Sequence, residues 1–263
     1  MDLGLKEAKV FVAASSSGLG AATARQFSLE GAHVVVNGRY QDRLEETAAA
    51  IRRESGNNVL ALSGDLTDGE AAKTIVENAA ARLGGLDVIV TNAGGPPPGT
   101  FESVSLDDWD KAFKLNVMSA VYVIRAALPY LKQSSRAAIL TITSVSVKQP
   151  IDNLILSNSV RMSVAGLTKS LANELGPQGI RVNSILPGWT RTGRVTQIME
   201  SRAQAQGITA EEAGQRQGAS VPLGRMGEPE EFANVAVFMC SPAASYLHGT
   251  LIPVDGGSIR TTL

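Results

Sequence analysis

Short apolar runs rich in β-branched residues alternate along this chain with longer stretches in which apolar positions recur every three or four residues. Seven runs read as strands: Val10–Ala13, His33–Asn37, Val59–Ser63, Asp87–Thr91, Ala137–Thr143, Arg181–Leu186 and Leu251–Val254. Several are apolar at every position rather than at alternate ones, as strands covered by helices on both faces must be. The stretches between them have helical period. Asp42–Glu54 opens on an acidic residue, read as its cap, and stops before Gly56. Leu106, Trp109, Phe113, Val117, Val121, Ile124 and Leu128 form one apolar face at helical spacing. Leu167, Leu171 and Leu175 mark a further helix that ends at Gly176-Pro177. This alternation predicts an α/β fold: a doubly wound parallel sheet of about seven strands, with right-handed crossovers placing helices on both faces.

One interval breaks the rhythm. Trp189 to Gly227 is polar, rich in Gln and only partly helical. Loops beyond the carboxyl ends of parallel strands carry the ligand site in such sheets, so this interval reads as a lid over substrate; a solvated surface excursion is the alternative. With no linker, repeat or low-complexity tract, residues 1–263 read as one domain. The chain is 44% hydrophobic, and 24 Lys+Arg against 25 Asp+Glu leave a net charge of −1. That balance gives no general attraction to nucleic acid or to acidic membranes. The amino terminus lacks the basic flank and apolar stretch of a signal peptide, and no run of about 18 apolar residues is present. A cytoplasmic protein is the expectation. Cys240 is the only cysteine, which excludes an intramolecular disulfide and a cysteine-rich metal site.

The first strand runs into Ala14-Ser15-Ser16-Ser17-Gly18-Leu19-Gly20 and then a helix. Small residues there allow a tight turn and let backbone amides approach a pyrophosphate at the helix N-terminus, the dinucleotide position of a Rossmann-type sheet. The second strand ends in Asn37-Gly38-Arg39. An acid at this place would accept from the ribose 2′-hydroxyl of NAD(H). Here Gly38 stands in its place, no anion repels a phosphate, and Arg39 offers a planar fork to a 2′-phosphate. NADP(H) is therefore favoured over NAD(H).

Asp65-Leu66 follows the third strand, Asn92-Ala93-Gly94 the fourth and Pro187-Gly188-Trp189-Thr190 the sixth, while Val254-Asp255-Gly256-Gly257 closes the seventh. With these segments in this order, the chain resembles the short-chain dehydrogenase/reductase family over almost its full length. The resemblance implies that Ala14, Ser16, Ser17, Gly18, Leu19 and Gly20 cradle the pyrophosphate and that Asp65 and Leu66 contact the adenine. It implies that Asn92, Ala93 and Gly94 brace the sheet beside the nucleotide, and that Pro187, Gly188 and Thr190 line the nicotinamide. It also implies a small carbonyl or alcohol substrate, and a homotetramer or dimer in which helices near 105–131 and 159–176 pack against their mates. The family's turn opens with Thr-Gly, whereas this chain has Ala13-Ala14. The extra methyl of Ala14 makes a positive φ costly.

In the family a Ser after the fifth strand orients the carbonyl, and a Tyr handles the proton. A Lys one helical turn later holds the ribose, and an Asn in the preceding helix anchors a water chain. Asn116 fits the Asn, an amide that is weakly unfavourable in mid-helix. Ser144 fits the Ser, with Thr143 and Ser146 as neighbours. The family's spacing from Ser144 then lands on Ser157, and a second anchor, Gly166–Lys169, lands on Arg161. No Tyr occurs between Tyr130 and Tyr246, and Tyr246 belongs to a late turn. Leu156–Arg161 is similar to an atypical branch of the family that looks like 3-oxoacyl-carrier-protein reductases yet lacks the Tyr/Lys pair. A Ser hydroxyl is far less acidic than a phenol with its pKa of about 10, and its reach is roughly 4 Å shorter. Arg161 can bind ribose hydroxyls and hold positive charge, but it stays protonated. Three readings stay open. One is a reductase with a substitute acid, either a water held by Ser157, Ser144 and Arg161 or the side chain of Lys148. Another is a catalytically silent dinucleotide-binding protein acting as a sensor or partner subunit. The third is different chemistry on the same scaffold: related dehalogenases use Ser, Tyr and Arg without a dinucleotide, a pattern that Arg161 fits but the missing Tyr and the retained Gly18 and Gly20 do not.

Overall fold

Strands that are apolar on both faces need two covers. The computed structural model, which describes residues 1–262, supplies them. The strands are β1 (Lys9–Val12), β2 (His33–Gly38), β3 (Val59–Ser63), β4 (Val88–Thr91), β5 (Ala138–Ile142), β6 (Arg181–Pro187) and β7 (Leu251–Val254). They form one sheet in the order β3-β2-β1-β4-β5-β6-β7, and every pairing is parallel. Side chains alternate between its faces. Val10, Val12, Val34, Val36, Val88, Val90 and Leu140 pack on one side with α1 (Gly18–Leu29), α2 (Gln41–Ser55) and α9 (Pro229–Cys240). Phe11, Val35, Ile89, Ile139 and Val182 pack on the other with α3 (Gly69–Leu83), α5 (Ser119–Leu131) and α6 (Ile155–Leu175). The Rossmann-type arrangement read from the strand pattern is the one observed, with strand ends shifted by a residue or two. Chain order reverses between β1 and β4, so their carboxyl ends open a crevice where loops from both halves meet.

Two local expectations need correction. Asp42 does not cap α2: Tyr40 is the N-cap and makes no side-chain bond, so Asp42 lies within the first turn, where its charge still suits the helix dipole. The stretch from Leu106 is not one helix with one apolar face. α4 (Leu106–Phe113) passes into a π turn, Lys114–Met118, before α5. The wider turn rotates all that follows it relative to what precedes it. The buried stripe is therefore Ala112, Val117, Ala120, Ile124, Ala127 and Leu131, while Leu106 and Phe113 are exposed.

The interval from 189 to 227 forms α7 (Gly193–Gln206), α8 (Ala210–Ala219) and the turns around them. Its two ends are paired at a neck, where the Gly227 amide donates to the Trp189 carbonyl and the Arg191 amide to the Gly227 carbonyl, both at 2.9 Å. Met199, Ala203, Ala213 and Met226 make a small core of its own, joined by Trp189, whose ring carries the Arg202 guanidinium 4.7 Å from its centroid. Trp189 and Met226 thus serve as packing. Among the described residues, no helix is long and apolar enough to cross a membrane.

Candidate active site

The turn after β1 is built around a buried hydroxyl. Ser15 Oγ donates to the Val12 carbonyl at 2.7 Å and accepts from the Asn37 amide at 2.9 Å, tying the ends of β1 and β2 together. Ala14, just before it, takes φ +46°, a conformation that a Cβ disfavours by about 1–2 kcal/mol. Its carbonyl is held by Asn92 Nδ2 at 3.1 Å. A Cβ on Gly20 would lie 2.5 Å from the same carbonyl, so only glycine lets α1 approach this closely. Gly18 opens α1 at φ +57°, and Ser17 forms no side-chain cap. The first-turn amides, with Ser16 and Leu19 beside them, are left for an anion.

At the end of β2, a Cβ on Gly38 would lie 3.1 Å from the Ser16 side chain, so an acid there would crowd the turn as well as repel a phosphate. Arg39 is exposed over the neighbouring Tyr40 ring and has no carboxylate partner among the described residues. Asp65 folds back to accept the Thr67 amide at 2.9 Å, beside the buried Leu66. Ala93 and Gly94 continue from Asn92, and a Cβ on Gly94 would meet nothing.

The other half of the site gathers where β4, β5 and β6 end. Asn116 lies buried in the π turn, a feature common at functional sites. Its Nδ2 donates to the Ala112 carbonyl at 3.2 Å, while Oδ1 is buried without a protein partner. An orphaned acceptor costs about 1–3 kcal/mol, which marks the position as one awaiting a donor. Ser144 leaves β5 in extended conformation, its Oγ accepting from the Ser146 amide at 3.1 Å. Of its rivals, Thr143 is buried and bonded to Ser184 at 3.0 Å, the Ser146 hydroxyl is buried without a partner, and Lys148 is exposed.

Ser157 and Arg161 stand one turn apart on α6 and meet. Arg161 Nε donates to Ser157 Oγ at 3.2 Å, and Nη1 donates to the carbonyls of Thr143 at 3.0 Å and Ile142 at 3.5 Å. Ser157 is only 8% exposed. Burial, and then the nearby Arg194 cation, pulls the Arg161 guanidinium down to about 10, so it stays charged at neutral pH. Ser144 makes no hydrogen bond to either residue among those described. Gly188 approaches the chain after β7 so closely that a Cβ would lie 2.6 Å from Asp255 Cα, and the Pro187-Gly188 corner is pinned by the Gly188 amide on the Val254 carbonyl at 3.0 Å. Thr190 is buried at the neck beside Gly227. Arg194 belongs to no motif read from the sequence. Its signal is an unusual one: a cation in the first turn of α7, where the helix dipole disfavours positive charge.

A family model described as enoyl-(acyl carrier protein) reductase matches residues 13–258. The dehydrogenase/reductase SDR family member 4 of Oryctolagus cuniculus is 32% identical over 248 residues, covering 94% of this chain and 92% of that protein. The chain belongs to the short-chain dehydrogenase/reductase family. Among solved structures, L-sorbose reductase from Gluconobacter frateurii, complexed with NADPH and L-sorbose, matches with a TM-score of 0.94 at 32% identity, over 99% of this chain and 100% of that one. An NADPH-bound short-chain oxidoreductase from Pseudomonas aeruginosa PAO1, described as containing an atypical catalytic center, matches with a TM-score of 0.88 at 31% identity, over 98% of this chain and 100% of that one.

As a short-chain dehydrogenase/reductase the chain is unusual in forcing an alanine into the left-handed region of the nucleotide turn. Ala14→Gly removes that strain. It is expected to stabilise the protein by about 1 kcal/mol, raising Tm by about 2–4 °C in a thermal melt. An unchanged or lower Tm would show that the strain is relieved elsewhere.

Proposed function

We propose that this short-chain dehydrogenase/reductase is an NADP(H)-dependent carbonyl reductase, similar to the 3-oxoacyl-carrier-protein reductases and reversible toward the alcohol. Its proton donor is a water held by Ser144, Ser157 and Arg161. The observation that carries the reading is the hydrogen bond from Arg161 Nε to Ser157 Oγ. Having accepted from a cation, Ser157 keeps its own proton to give, and negative charge developing beside it is stabilised.

The residues present fit the dinucleotide. The uncapped start of α1 with Gly18 suits a pyrophosphate, and Arg39 beside Gly38 suits a 2′-phosphate. The orphaned Asn116 Oδ1 awaits a donor. Both neighbouring enzymes described above were solved with NADPH, which supports the same preference here. When bound, the dinucleotide supplies the hydride. Ser16, Ser17, Leu19 and Gly20 hold its pyrophosphate, and Asp65 and Leu66 flank the adenine. Ala93, Gly94, Pro187, Gly188 and Thr190 enclose the nicotinamide end, and Arg161 holds the ribose. Ser144 orients the carbonyl oxygen. The held water gives that oxygen a proton, takes one from Ser157, and Ser157 is restored from solvent along the Asn116 side. The lid at 189–227 excludes bulk water from the centre. The chain acts as one domain in the cytoplasm, and the exposed Leu106, Phe113 and Met162 supply an apolar face for a homotetramer.

Arg39→Ala is expected to weaken NADPH binding roughly ten- to a hundred-fold while leaving NADH unaffected, as titration calorimetry would register. Equal losses for both would overturn the 2′-phosphate assignment. Ser157→Ala should lower kcat/KM for reduction roughly ten- to a hundred-fold, with NADPH affinity kept. Because catalysis needs Arg161 as a cation and its pKa is lowered to about 10, kcat/KM should stay level from neutral pH and fall as pH rises through about 10. A pH profile on the best substrate among β-keto thioesters, ketones and diketones checks this, and a fall beginning near neutrality would contradict it. Micromolar NADPH affinity with no NADPH consumption across that panel or with small keto acids would leave the silent dinucleotide-binding protein as the reading.

A further inference from the structure

Two guanidiniums share this centre, and no carboxylate among the described residues pairs with either. Arg161 is tied to the carboxyl end of β5 through the Thr143 and Ile142 carbonyls. Arg194 is tied to the loop after the adjacent strand β4, where Nη2 donates to the Pro96 carbonyl at 2.5 Å. Its fork lies flat on Gly95, where a Cβ would come within 2.6 Å of Nε, so glycine is required for this approach. Both arginines are thus held by neutral carbonyls. Neither has a carboxylate within 4.0 Å among the described residues, whereas Arg191 and Arg225, at the base of the same lid, pair with Glu228 and Glu231. The two cations are close enough for Arg194 to oppose the charge on Arg161.

An uncompensated pair of partly buried cations is unfavourable in the free protein and is relieved by an anion entering between them. Arg194 starts the lid helix α7, so its peptide dipole adds to the positive field there. A fork with donors left over after one carbonyl is the geometry that reads a planar oxyanion in bidentate fashion. We infer that Arg194 is a specificity-determining residue that binds the carboxylate of a small keto-acid substrate, whose ketone faces Ser144 and Ser157. This rests on the reductase reading above and names its substrate class. Closure of the lid and recognition of the acid would then be one event, since the residue that reads the acid sits on the lid and grips the loop opposite.

The test uses acetoacetate and levulinate against their methyl esters, which have the same ketone without the charge. Each is titrated calorimetrically into the full-length protein loaded with NADP⁺, which cannot reduce a ketone, so binding is read without turnover; kcat/KM with NADPH is measured in parallel. One of the two acids should bind at least ten-fold more tightly than its ester. In Arg194→Gln that preference should disappear, and in Arg194→Lys, which keeps the charge and loses the fork, part of it should remain. A purely structural role in holding the lid would weaken acid and ester alike, leaving the ratio in place, and would overturn the inference. So would equal binding of acid and ester to the wild type, or a loss of NADPH affinity in Arg194→Gln, which would assign the guanidinium to the dinucleotide instead. Failure of the wild type to bind NADPH would sink the reductase reading, and the acid–ester comparison on the cofactor-free protein would still decide this one.

Discussion

A guanidinium drawn out of water must find acceptors, and at the centre of this protein Arg161 finds them in the β5 carbonyls and in Ser157. That requirement couples two residues one turn apart on α6. A lysine offers three donors from one nitrogen, whereas the arginine fork spreads its donors over a plane and can serve a strand end and a helix neighbour together. Ser157, one turn away on α6, is short enough to lie beneath the fork and accept from Nε. The pair therefore works as one unit. It joins a fixed cation to the hydroxyl that accepts from it.

Much of the fold was legible because covering a sheet on both faces leaves a plain trace. β1, β4 and β5 are buried throughout their inner positions, and apart from Thr141 the residues there are Val, Ile, Leu and Phe for that reason. The stretch from Leu106 misled because periodicity assumes a constant turn. Five residues of π turn rotate the two halves apart, and the large apolar side chains of Leu106 and Phe113 end on the outside while Ala112, Val117, Ala120, Ile124, Ala127 and Leu131 are buried. Residue choice alone does not announce such a turn. Its one mark is Asn116, a polar residue where a helix would bury an apolar one.

In the candidate site, the positions of Ser157 and Arg161 followed from counting, since a strand and its following helix keep a rigid spacing. At Ala14 the cost of a positive φ was readable from the family's glycine, but the contact that holds the turn was not. The Ala14 carbonyl is held by Asn92, which is 78 positions further along the chain. Arg194 stayed hidden for the same reason, because its partner carbonyl at Pro96 is 98 positions away. The limits of the interval from 189 to 227 were readable, in contrast, because the neck bonds fall where the polar stretch begins and ends.

The loop after β4 links these separate features. It begins with Asn92, which holds the Ala14 carbonyl in the nucleotide turn. Its middle, Gly95-Pro96, carries the Arg194 fork from the first turn of α7. Its far end pairs with the entry to α6, where the Gly99 amide donates to the Asn153 carbonyl at 2.7 Å and the Ile155 amide to the Gly99 carbonyl at 3.3 Å, two residues before Ser157. The eight residues from Asn92 to Gly99 thus touch the turn after β1, the first turn of α7 and the entry to the helix that bears Ser157 and Arg161. The three prolines at 96–98 keep that segment stiff, since each fixes its own φ and restricts the residue before it. The three contacts therefore sit on a stiff segment rather than on a slack loop.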